Sequence, residues 1–465
     1  MHEPRPNRLI TRRDVLKDTG KVSATAAMVA GGFANVHPFK REDTIHVALI
    51  GCGGRGSGAA KNALSVKRGP VKLVAMAEVF PDRLKTSYDA LVKEFPEQAD
   101  VPKERQFLGF DGYKHAIDCL RPGDIAIFAT PPAFRWVHFK YAIEKGVHVF
   151  MEKPVCVDGP TARKMFALSE ESKKKGLKVG VGLMSRHSRA MTELHDRIRG
   201  GEVGEIISQN GYRMQGAIAT FRSEPKPEGI SHLEYQLRRF HGFLWASGGG
   251  FNDFFIHIID QLVWMKGALP VKAQAHGGRH YRTNGDGVPY VDQNLDTYGV
   301  EYTYPDGTKM MFSGRNQPGC ESRFYSHLHG TKGSAIASAN SDCGLPSSIH
   351  EGHTLSRGSR IWTSRVAEDE TNPYQNEWED LIDAIRDDKP FHEAQYGIEA
   401  SLVCNLGRMA AHTGVEVTYE QMLACEHEFA PGVADLTVDS DSPLMPGENG
   451  LYAVPAPGIK TDREY

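Results

Sequence analysis

Asp253, His257 and Asp260 stand four and three residues apart in an apolar stretch that follows three consecutive glycines. On a helix they would lie within a wedge of roughly 60°, an acid, an imidazole and a second acid in line. A histidine beside a carboxylate suits general acid–base catalysis because its pKa can be tuned near neutrality. The spacing also fits a solvated helix face capped by Asp253, or part of a metal site. No His-Glu-x-x-His pattern occurs, so we expect no metal.

A second pattern that carries chemistry is the glycine-rich turn Gly-Cys-Gly-Gly-Arg-Gly, which follows an apolar run at 45–50 and precedes an alanine-rich helical stretch. Between a strand and a helix, this spacing is typical of dinucleotide binding. The first glycine permits the tight turn, the second lets the backbone approach a pyrophosphate, and the last allows close helix packing. The start of the helix favours phosphate. The expected cofactor-binding residues of this turn are Gly51, Gly53, Gly54, Arg55 and Gly56.

An acidic residue closes the next apolar run. Glu78 follows the stretch 71–77 and lies 22 residues after Gly56. A carboxylate there would bind the adenosine ribose hydroxyls and repel a 2′-phosphate, so we expect NAD rather than NADP. Arg83 keeps NADP as a less favoured alternative, and a glycine turn without any ligand is the other interpretation.

These residues need elements to position them. Apolar strands alternate with helical stretches up to about residue 155, which indicates a parallel sheet. Later strands alternate in polarity and are linked by turns, as in a largely antiparallel open sheet with helices on one face. We therefore expect an α/β fold: an NAD-binding Rossmann domain at 44–155, an α+β domain for substrate and oligomerisation at 156–415, and an irregular tail at 430–465.

Two short motifs fall at predicted strand ends of the Rossmann domain. They are Ala-Thr-Pro-Pro, which contains Thr130 and Pro131, and Glu-Lys-Pro, which contains Glu152 and Lys153. In open parallel sheets ligands bind beyond the carboxyl ends of the strands, so we expect all four residues at the cofactor.

The order of these motifs resembles the Gfo/Idh/MocA family of sugar and cyclitol oxidoreductases over about residues 44–415. The family's lysine of Glu-Lys-Pro lies beside nicotinamide and substrate, and its Asp-x-x-x-His pair stands on the later helix. The resemblance implies that Lys153, Asp253 and His257 are catalytic. His257 would take the hydroxyl proton, Lys153 would stabilise negative charge, and Asp253 would orient both. Many relatives carry a histidine directly after the two prolines, where this chain has Ala133.

Substrate contacts are expected from a different set of side chains. Arg186 and His187 follow an apolar strand, and relatives carry an arginine in this region. Asp260 is expected to brace His257 and to contact the substrate. Other polar residues near strand or loop ends, which are as often ion-paired or at the surface, are Tyr212, Arg213, His241, Arg315 and Asn316.

Composition excludes several classes of function. The 465 residues contain 55 Lys and Arg against 58 Asp and Glu, a net charge of −3, which argues against a nucleic-acid binder. No apolar run reaches the ~18 residues of a membrane-spanning helix, so we expect no membrane span. The seven cysteines are odd in number and form no Cys-x-x-Cys pair, against a disulfide scaffold.

The first 34 residues differ from the remainder. They hold six Lys and Arg against three Asp and Glu, and the sequence Thr-Arg-Arg-Asp-Val-Leu-Lys at 11–17 precedes a stretch of small apolar residues. This pattern resembles a twin-arginine (Tat) export leader. We therefore expect residues 1–34 to engage the Tat machinery and the protein to be periplasmic. A disordered basic arm is the alternative.

The leading functional hypothesis is an NAD(P)-dependent oxidoreductase that acts by hydride transfer at a carbinol carbon of a sugar, sugar derivative or cyclitol. One alternative is a glycoside hydrolase that transiently oxidises C3 with tightly held NAD, and another is a non-catalytic NAD- or sugar-binding protein. Export favours a tightly bound cofactor, because free NAD is scarce outside the cytoplasm. The resemblance also implies a homo-oligomer, since relatives pair subunits through the open sheet.

Overall fold

The structure, a computed structural model, describes residues 43–216, 218–341 and 344–465, so the predicted leader lies outside the described residues. It contains two sheets. The first comprises β1 (Ile45–Ile50), β2 (Val71–Glu78), β3 (Gln106–Leu108), β4 (Ile125–Phe128), β5 (His148–Met151) and β6 (Val179–Val181). The second comprises β7 (Ile206–Gln215), β8 (Lys272–Gly278), β9 (Thr297–Thr303), β10 (Lys309–Asn316), β11 (Arg323–Gly330), β12 (Gly333–Ser338), β13 (Ser348–Glu351), β14 (Arg360–Thr363) and β15 (Val417–Thr418).

Helices cover both sheets and connect them. The α-helices are α1 (Gly54–Leu64), α2 (Pro81–Glu94), α3 (Gly112–Asp118), α4 (Arg135–Lys145), α5 (Gly159–Lys174), α6 (Arg189–Arg199), α7 (His232–Arg238), α8 (Leu244–Ser247), α9 (Ile256–Lys266), α10 (Pro373–Arg386), α11 (Ala394–Thr413) and α12 (Tyr419–Ala424). A π-helical turn at Phe251–Phe255 precedes α9 directly.

The first sheet is parallel throughout, in the order β3-β2-β1-β4-β5-β6. Strand β4 is buried at every residue because helices cover both faces of the sheet. The chain crosses over after β3, so β1 and β4 become neighbours at the topological switch point where ligands bind. The sheet continues to Val181, beyond residue 155, where we expected the second domain to begin.

The second sheet has the order β14-β13-β12-β11-β7-β10-β9-β8-β15. Only β7 and β10 pair in parallel among its described strands. One face packs on α9: a Cβ on Gly211 of β7 would lie 2.5 Å from the side chain of Ile258. The predicted fold class, a Rossmann sheet followed by a largely antiparallel sheet, is confirmed.

Helix α11 joins the two halves. It packs against α5 beside the first sheet and against β8 and β9 of the second, and most of its residues are buried. Helix α10 contributes Trp378 and Leu381 to the core of the first sheet. The chain beyond α12 has little regular structure, yet Leu444 and Glu464 in it are buried. Of the helices in the described residues, none has both the length and the apolar character needed to cross a membrane.

Candidate active site

The glycine turn after β1 forms a cradle at the carboxyl edge of the first sheet. Gly51 has φ +95°, and a Cβ there would lie 2.7 Å from the backbone of Ala129 and Thr130. A Cβ on Gly56 would lie 2.0 Å from the carbonyl oxygen of Gly51. By contrast, Gly53 would meet no atom within 4 Å. The outer glycines therefore build the turn, and the central one faces open space.

That space is a cavity of about 1000 Å³, including the volume open to solvent at its mouth. The cavity is also lined by Glu78, Thr130 and Pro131, as we predicted for a cofactor site. Phe240 and His241, which follow α7, also line it. The free N–H groups at the start of α1, the open glycines and an acidic residue in one cleft fit a dinucleotide.

Glu78 at the end of β2 is held by the backbone of the cradle. One carboxylate oxygen accepts a hydrogen bond from the N–H of Cys52 at 2.8 Å, and the other accepts from the N–H groups of Val79 and Phe80 at 2.7 and 3.2 Å. A carboxylate has about four acceptor positions, so one remains on the Cys52-bound oxygen for a ribose hydroxyl. The guanidinium of Arg83 donates to the carbonyl of Arg238 at 3.2 Å and stacks on Phe80.

The start of α4 stabilises the neighbouring strand end. The buried Arg135 donates to the carbonyls of Phe128 and Thr130 at 2.8 and 3.0 Å. The Nδ1 atom of His138 lies 3.2 Å from the hydroxyl of Thr130. Burial, and then the charge of Arg135, lowers the pKa of His138 to about 3, so its ring is neutral. His138, five residues after Ala133, also lines the cavity.

Lys153 connects the first sheet to the π-helical turn. Its ammonium donates to the backbone carbonyl of Asp253 at 2.6 Å and lies 3.6 Å from that residue's carboxylate. The other carboxylate oxygen of Asp253 lies 3.3 Å from Nε2 of His241. Thr220 holds the second ring nitrogen of His241 at 2.8 Å. The structure therefore groups Lys153 with Asp253, and adds His241 to them.

The pKa of each of the two predicted catalytic residues on this segment is lowered, although burial acts on them in opposite directions. Burial would raise the pKa of Asp253, but Lys153 and His241 hold it well below its ordinary value. Burial, followed by the charges of Lys153 and Arg213, lowers the pKa of His257 well below its ordinary value. The site thus holds a carboxylate beside a neutral imidazole, which is able to accept a proton.

Arg55 and Glu152, both predicted at the cofactor, contact each other. Nε of Arg55 lies 2.9 Å from the buried carboxylate of Glu152, and its guanidinium stacks on Tyr374. Burial and the charge of Glu152 raise the pKa of nearby Glu377 well above its ordinary value. The ion pair joins the glycine turn to the Glu-Lys-Pro segment.

The predicted role of Asp260 needs correction. Its carboxylate forms a bidentate pair with Arg186, with oxygen–nitrogen distances of 2.8 to 3.2 Å, and does not brace His257. The π-helical turn changes the angular spacing, so Asp253, His257 and Asp260 do not act as one line. His187 is also engaged elsewhere, with Asp380 at 2.7 Å and Glu393 at 3.0 Å. Burial would lower the pKa of His187, but these carboxylates raise it to about 10.

The run of three glycines before the π-helical turn packs against protein. A Cβ on Gly248 would lie 2.7 Å from Nη1 of Arg408, and one on Gly250 would lie 2.3 Å from the ring of Phe221. Neighbouring side chains therefore account for the small residues of this run. Nothing in its spacing pointed to Arg408, which lies some 160 residues later.

Known proteins resemble parts of this chain. A family model described as "Oxidoreductase family, NAD-binding Rossmann fold" matches residues 45–183. The scyllo-inositol 2-dehydrogenase (NAD(+)) of Bacillus subtilis (strain 168) is 29% identical over 238 residues, which is 51% of this chain. The match spans 58% of that relative's length, somewhat less than two thirds.

Two solved structures share the fold over more of the chain. A levoglucosan dehydrogenase in complex with NADH and levoglucosan superposes with a TM-score of 0.61 at 17% identity, covering 82% of this chain and 100% of the other. The aldose-aldose oxidoreductase of Caulobacter crescentus, complexed with glycerol, gives 0.60 at 18% identity over 81% of this chain and 100% of the other. At these identities the likeness concerns the fold alone. The family model that matches residues 45–183 is that of the Gfo/Idh/MocA oxidoreductases, and the glycine cradle lies within the matched residues.

Proposed function

We propose that this protein is an NAD-dependent oxidoreductase that acts at a carbinol carbon of a sugar, sugar derivative or cyclitol. The observation that carries the proposal is the contact of Lys153 with Asp253, 2.6 Å from ammonium to carbonyl. This contact joins the end of strand β5, which lies beside the cofactor cradle, to the segment that carries His257. Acid–base groups and a dinucleotide cleft thus meet at one place.

The chain's own residues can move the proton of a substrate hydroxyl. His257 is neutral because burial and nearby cations lower its pKa, so it is the group that accepts the proton. Lys153 stabilises negative charge that develops on the same oxygen. Asp253 fixes the ammonium, and His241 in turn fixes Asp253 through its second carboxylate oxygen.

The cradle residues would hold the cofactor. The backbone at Gly53 and Gly54 would face the pyrophosphate, and Glu78 would accept from the adenosine ribose. The negative charge of Glu78 favours NAD over NADP. When bound, NAD supplies the hydride acceptor that oxidation of a carbinol requires.

The names of the similar proteins support the substrate class. The Bacillus subtilis relative is named for scyllo-inositol, and the two solved structures are named for levoglucosan and for aldoses. All three names denote polyhydroxylated carbon skeletons with secondary alcohols. We therefore place the substrate of this chain among sugars, their derivatives and cyclitols.

A second candidate is a glycoside hydrolase in which tightly held NAD transiently oxidises the sugar at C3 before elimination. Phe240 and His241 from the second half of the chain line the same cavity as the glycine cradle, an arrangement that supports retention of a cofactor. The twin-arginine pattern at 11–17 supports the same idea, because an exported enzyme benefits from a cofactor that it does not release.

One experiment separates these candidates. The purified protein, with no cofactor added, is scanned for bound nicotinamide and then mixed with scyllo-inositol, levoglucosan, aldoses or aryl glycosides. A dehydrogenase converts NAD to the reduced form as substrate is oxidised, whereas a hydrolase releases the aglycone without net reduction. Replacement of His257 or Lys153 by Ala should lower turnover by about 10²-fold or more, with the Kd for NAD within about threefold of wild type.

The matched controls are the exposed residues His115 and Lys140 on the first half of the chain, whose replacement by Ala should leave turnover unchanged. Wild-type turnover retained in either catalytic variant would contradict the assignment. Binding of NAD with no turnover of any compound would instead favour a non-catalytic binding protein.

A further inference from the structure

Arg408 of α11 is a fully buried cation whose hydrogen bonds reach three separate parts of the chain. Nε and Nη2 donate to the two carboxylate oxygens of Glu464, both at 2.9 Å. Nη2 also donates to the carbonyl of Val157 at 2.8 Å, and Nη1 donates to the carbonyl of Gly248 at 3.0 Å. Nη1 further donates to the amide oxygen of Asn405. We refer to Arg408, Glu464 and these partners as the Arg408 network.

Two of these bonds reach the segments that carry the proposed catalytic residues. Val157 lies four residues after Lys153, and Gly248 lies five residues before Asp253. Ser401, two turns earlier in α11, accepts from the N–H of Val155 at 3.0 Å. One helix therefore holds the segment that follows Lys153 at two points.

The neighbour of Asp253 is held by the same network. Nδ2 of Asn252 donates to the amide oxygen of Asn405 at 2.5 Å, the oxygen that also accepts from Arg408. Gly248 adopts φ +75°, which fixes the direction of the carbonyl that Arg408 binds. The start of the π-helical turn is thus attached to Arg408 twice, directly through Gly248 before the turn and through Asn405 at Asn252 within it.

The carboxylate of Glu464 neutralises the charge of the buried Arg408 guanidinium. A buried guanidinium without a counter-charge is strongly destabilising, and among the described residues Glu464 is the one carboxylate that forms an ion pair with Arg408. Burial would raise the pKa of Glu464, but Arg408 and His412 hold it at about 2. Nδ1 of His412 lies 2.7 Å from the carboxylate, and Tyr298 lies 3.0 Å from the other ring nitrogen.

We propose that Glu464 and Arg408 are positioning residues for the reaction: their charge-neutralised pair holds the Lys153 segment and the Asp253 segment at a fixed separation. The proposal rests on the proposed function for its effect on turnover. Its effect on the two segments is independent of substrate and can be measured without turnover.

The test is Glu464→Gln in the full chain, which keeps the shape of the side chain and removes its charge. Amide hydrogen exchange should become at least about tenfold faster in residues 154–158 and 247–253, because Arg408 loses its fixed orientation. The kcat should fall about tenfold or more, since small displacements of catalytic groups are costly, while the Kd for NAD stays within about threefold. Glu464→Asp, which retains the charge, should recover part of the kcat.

The matched control is Asp124→Asn, which removes the charge of another buried carboxylate at the opposite, amino edge of the first sheet. Asp124 accepts from the N–H groups of His46 and Arg121 and pairs with the guanidinium of Arg121. This control should lower the melting temperature without faster exchange in residues 154–158 or 247–253, and without a fall in kcat.

Each outcome of these measurements supports or overturns the positioning role of Arg408 and Glu464. Unchanged exchange in both segments of Glu464→Gln, or equal effects from Asp124→Asn, would overturn the positioning role. If Glu464→Gln fails to fold, the double variant Arg408→Met with Glu464→Leu removes both charges, and its exchange is expected to rise in the same two segments. If the wild type turns over no compound, the proposed function fails while the exchange measurement still tests the positioning role.

Discussion

At His257, burial and surrounding charge act in the same direction. Lys153 and Arg213 disfavour a proton on the imidazole, and Asp253 only partly opposes them. A base that stays neutral well below pH 6.5 is available for proton abstraction over a wide pH range. The lowered pKa of His257 also affects stability. Below about pH 6.5 this histidine binds a proton in the unfolded chain but not in the native one, so the free energy of unfolding decreases as the pH falls.

The pH at which the His257 ring takes up a proton should therefore lie well below 6.5 and depend on Lys153. In wild type, the ¹³C signal of the His257 ring, assigned by its loss in His257→Asn, should remain that of the neutral form at pH 6. In Lys153→Met its midpoint should rise by about one pH unit, because a nearby positive charge is lost. Lys140→Met should leave the midpoint unchanged. A wild-type midpoint near pH 6.5 would contradict this account.

At this scale the sequence was most informative where chemistry depends on local spacing. The glycine turn and Glu78 could be located because a strand, a turn and a helix follow one another without interruption. His241 could not be assigned, since its contact with Asp253, 12 residues later, depends on the irregular path of the chain between them. Arg186 and Asp260 were both selected as polar residues, but only the structure shows that they pair with each other.

Among the elements, the π-helical turn Phe251–Phe255 decides how the candidate site is arranged. A regular helix would align Asp253, His257 and Asp260, whereas the wider turn directs Asp253 toward Lys153 and leaves Asp260 to Arg186. Hydrophobic periodicity predicts a helix here but does not distinguish a single π turn from an α turn. The contacts of the preceding glycines could not be predicted either, because several of their partners lie far away in the sequence.

We expect the glycines before this turn to be required for packing. In Gly250→Ala the new Cβ would lie 2.3 Å from the ring of Phe221, so the ring or the turn must shift. The free energy of unfolding in urea should fall by about 1–3 kcal/mol. Gly285→Ala, where nothing lies within 4 Å of the new Cβ, should change it by less than about 0.5 kcal/mol. Equal stability of Gly250→Ala and wild type would show that the site can relax.

For the whole molecule, the cysteines bear on where the protein folds. Those in the described residues are free thiols, and Cys52, Cys156 and Cys404 among them are buried. Burial raises the pKa of the Cys156 and Cys404 thiols, which makes them poorly reactive once the chain is folded. A chain of this kind is best folded before it meets an oxidising compartment. Assembly of subunits through the second sheet stays a prediction.

We therefore expect export of the folded protein through the Tat pathway. Arg12→Lys together with Arg13→Lys should retain most of the protein in the cytoplasm, as measured by fractionation and immunoblotting. Arg5→Lys with Arg8→Lys makes the same chemical change outside the motif and should be exported like wild type. Equal distribution of the two double variants would argue against a twin-arginine signal.

The attachment of Glu464 to Arg408 also has a consequence for biosynthesis. When a ribosome has released the chain only as far as α11, the Rossmann sheet, the glycine run and His257 are already present, but Arg408 still lacks its carboxylate. Glu464 lies 56 residues after Arg408 and must be synthesised before the two segments that carry the proposed catalytic residues acquire their common anchor. Synthesis through Glu464 would then be the event that completes the proposed active centre, so that chains ending before it would remain inactive even where their cofactor domain is intact.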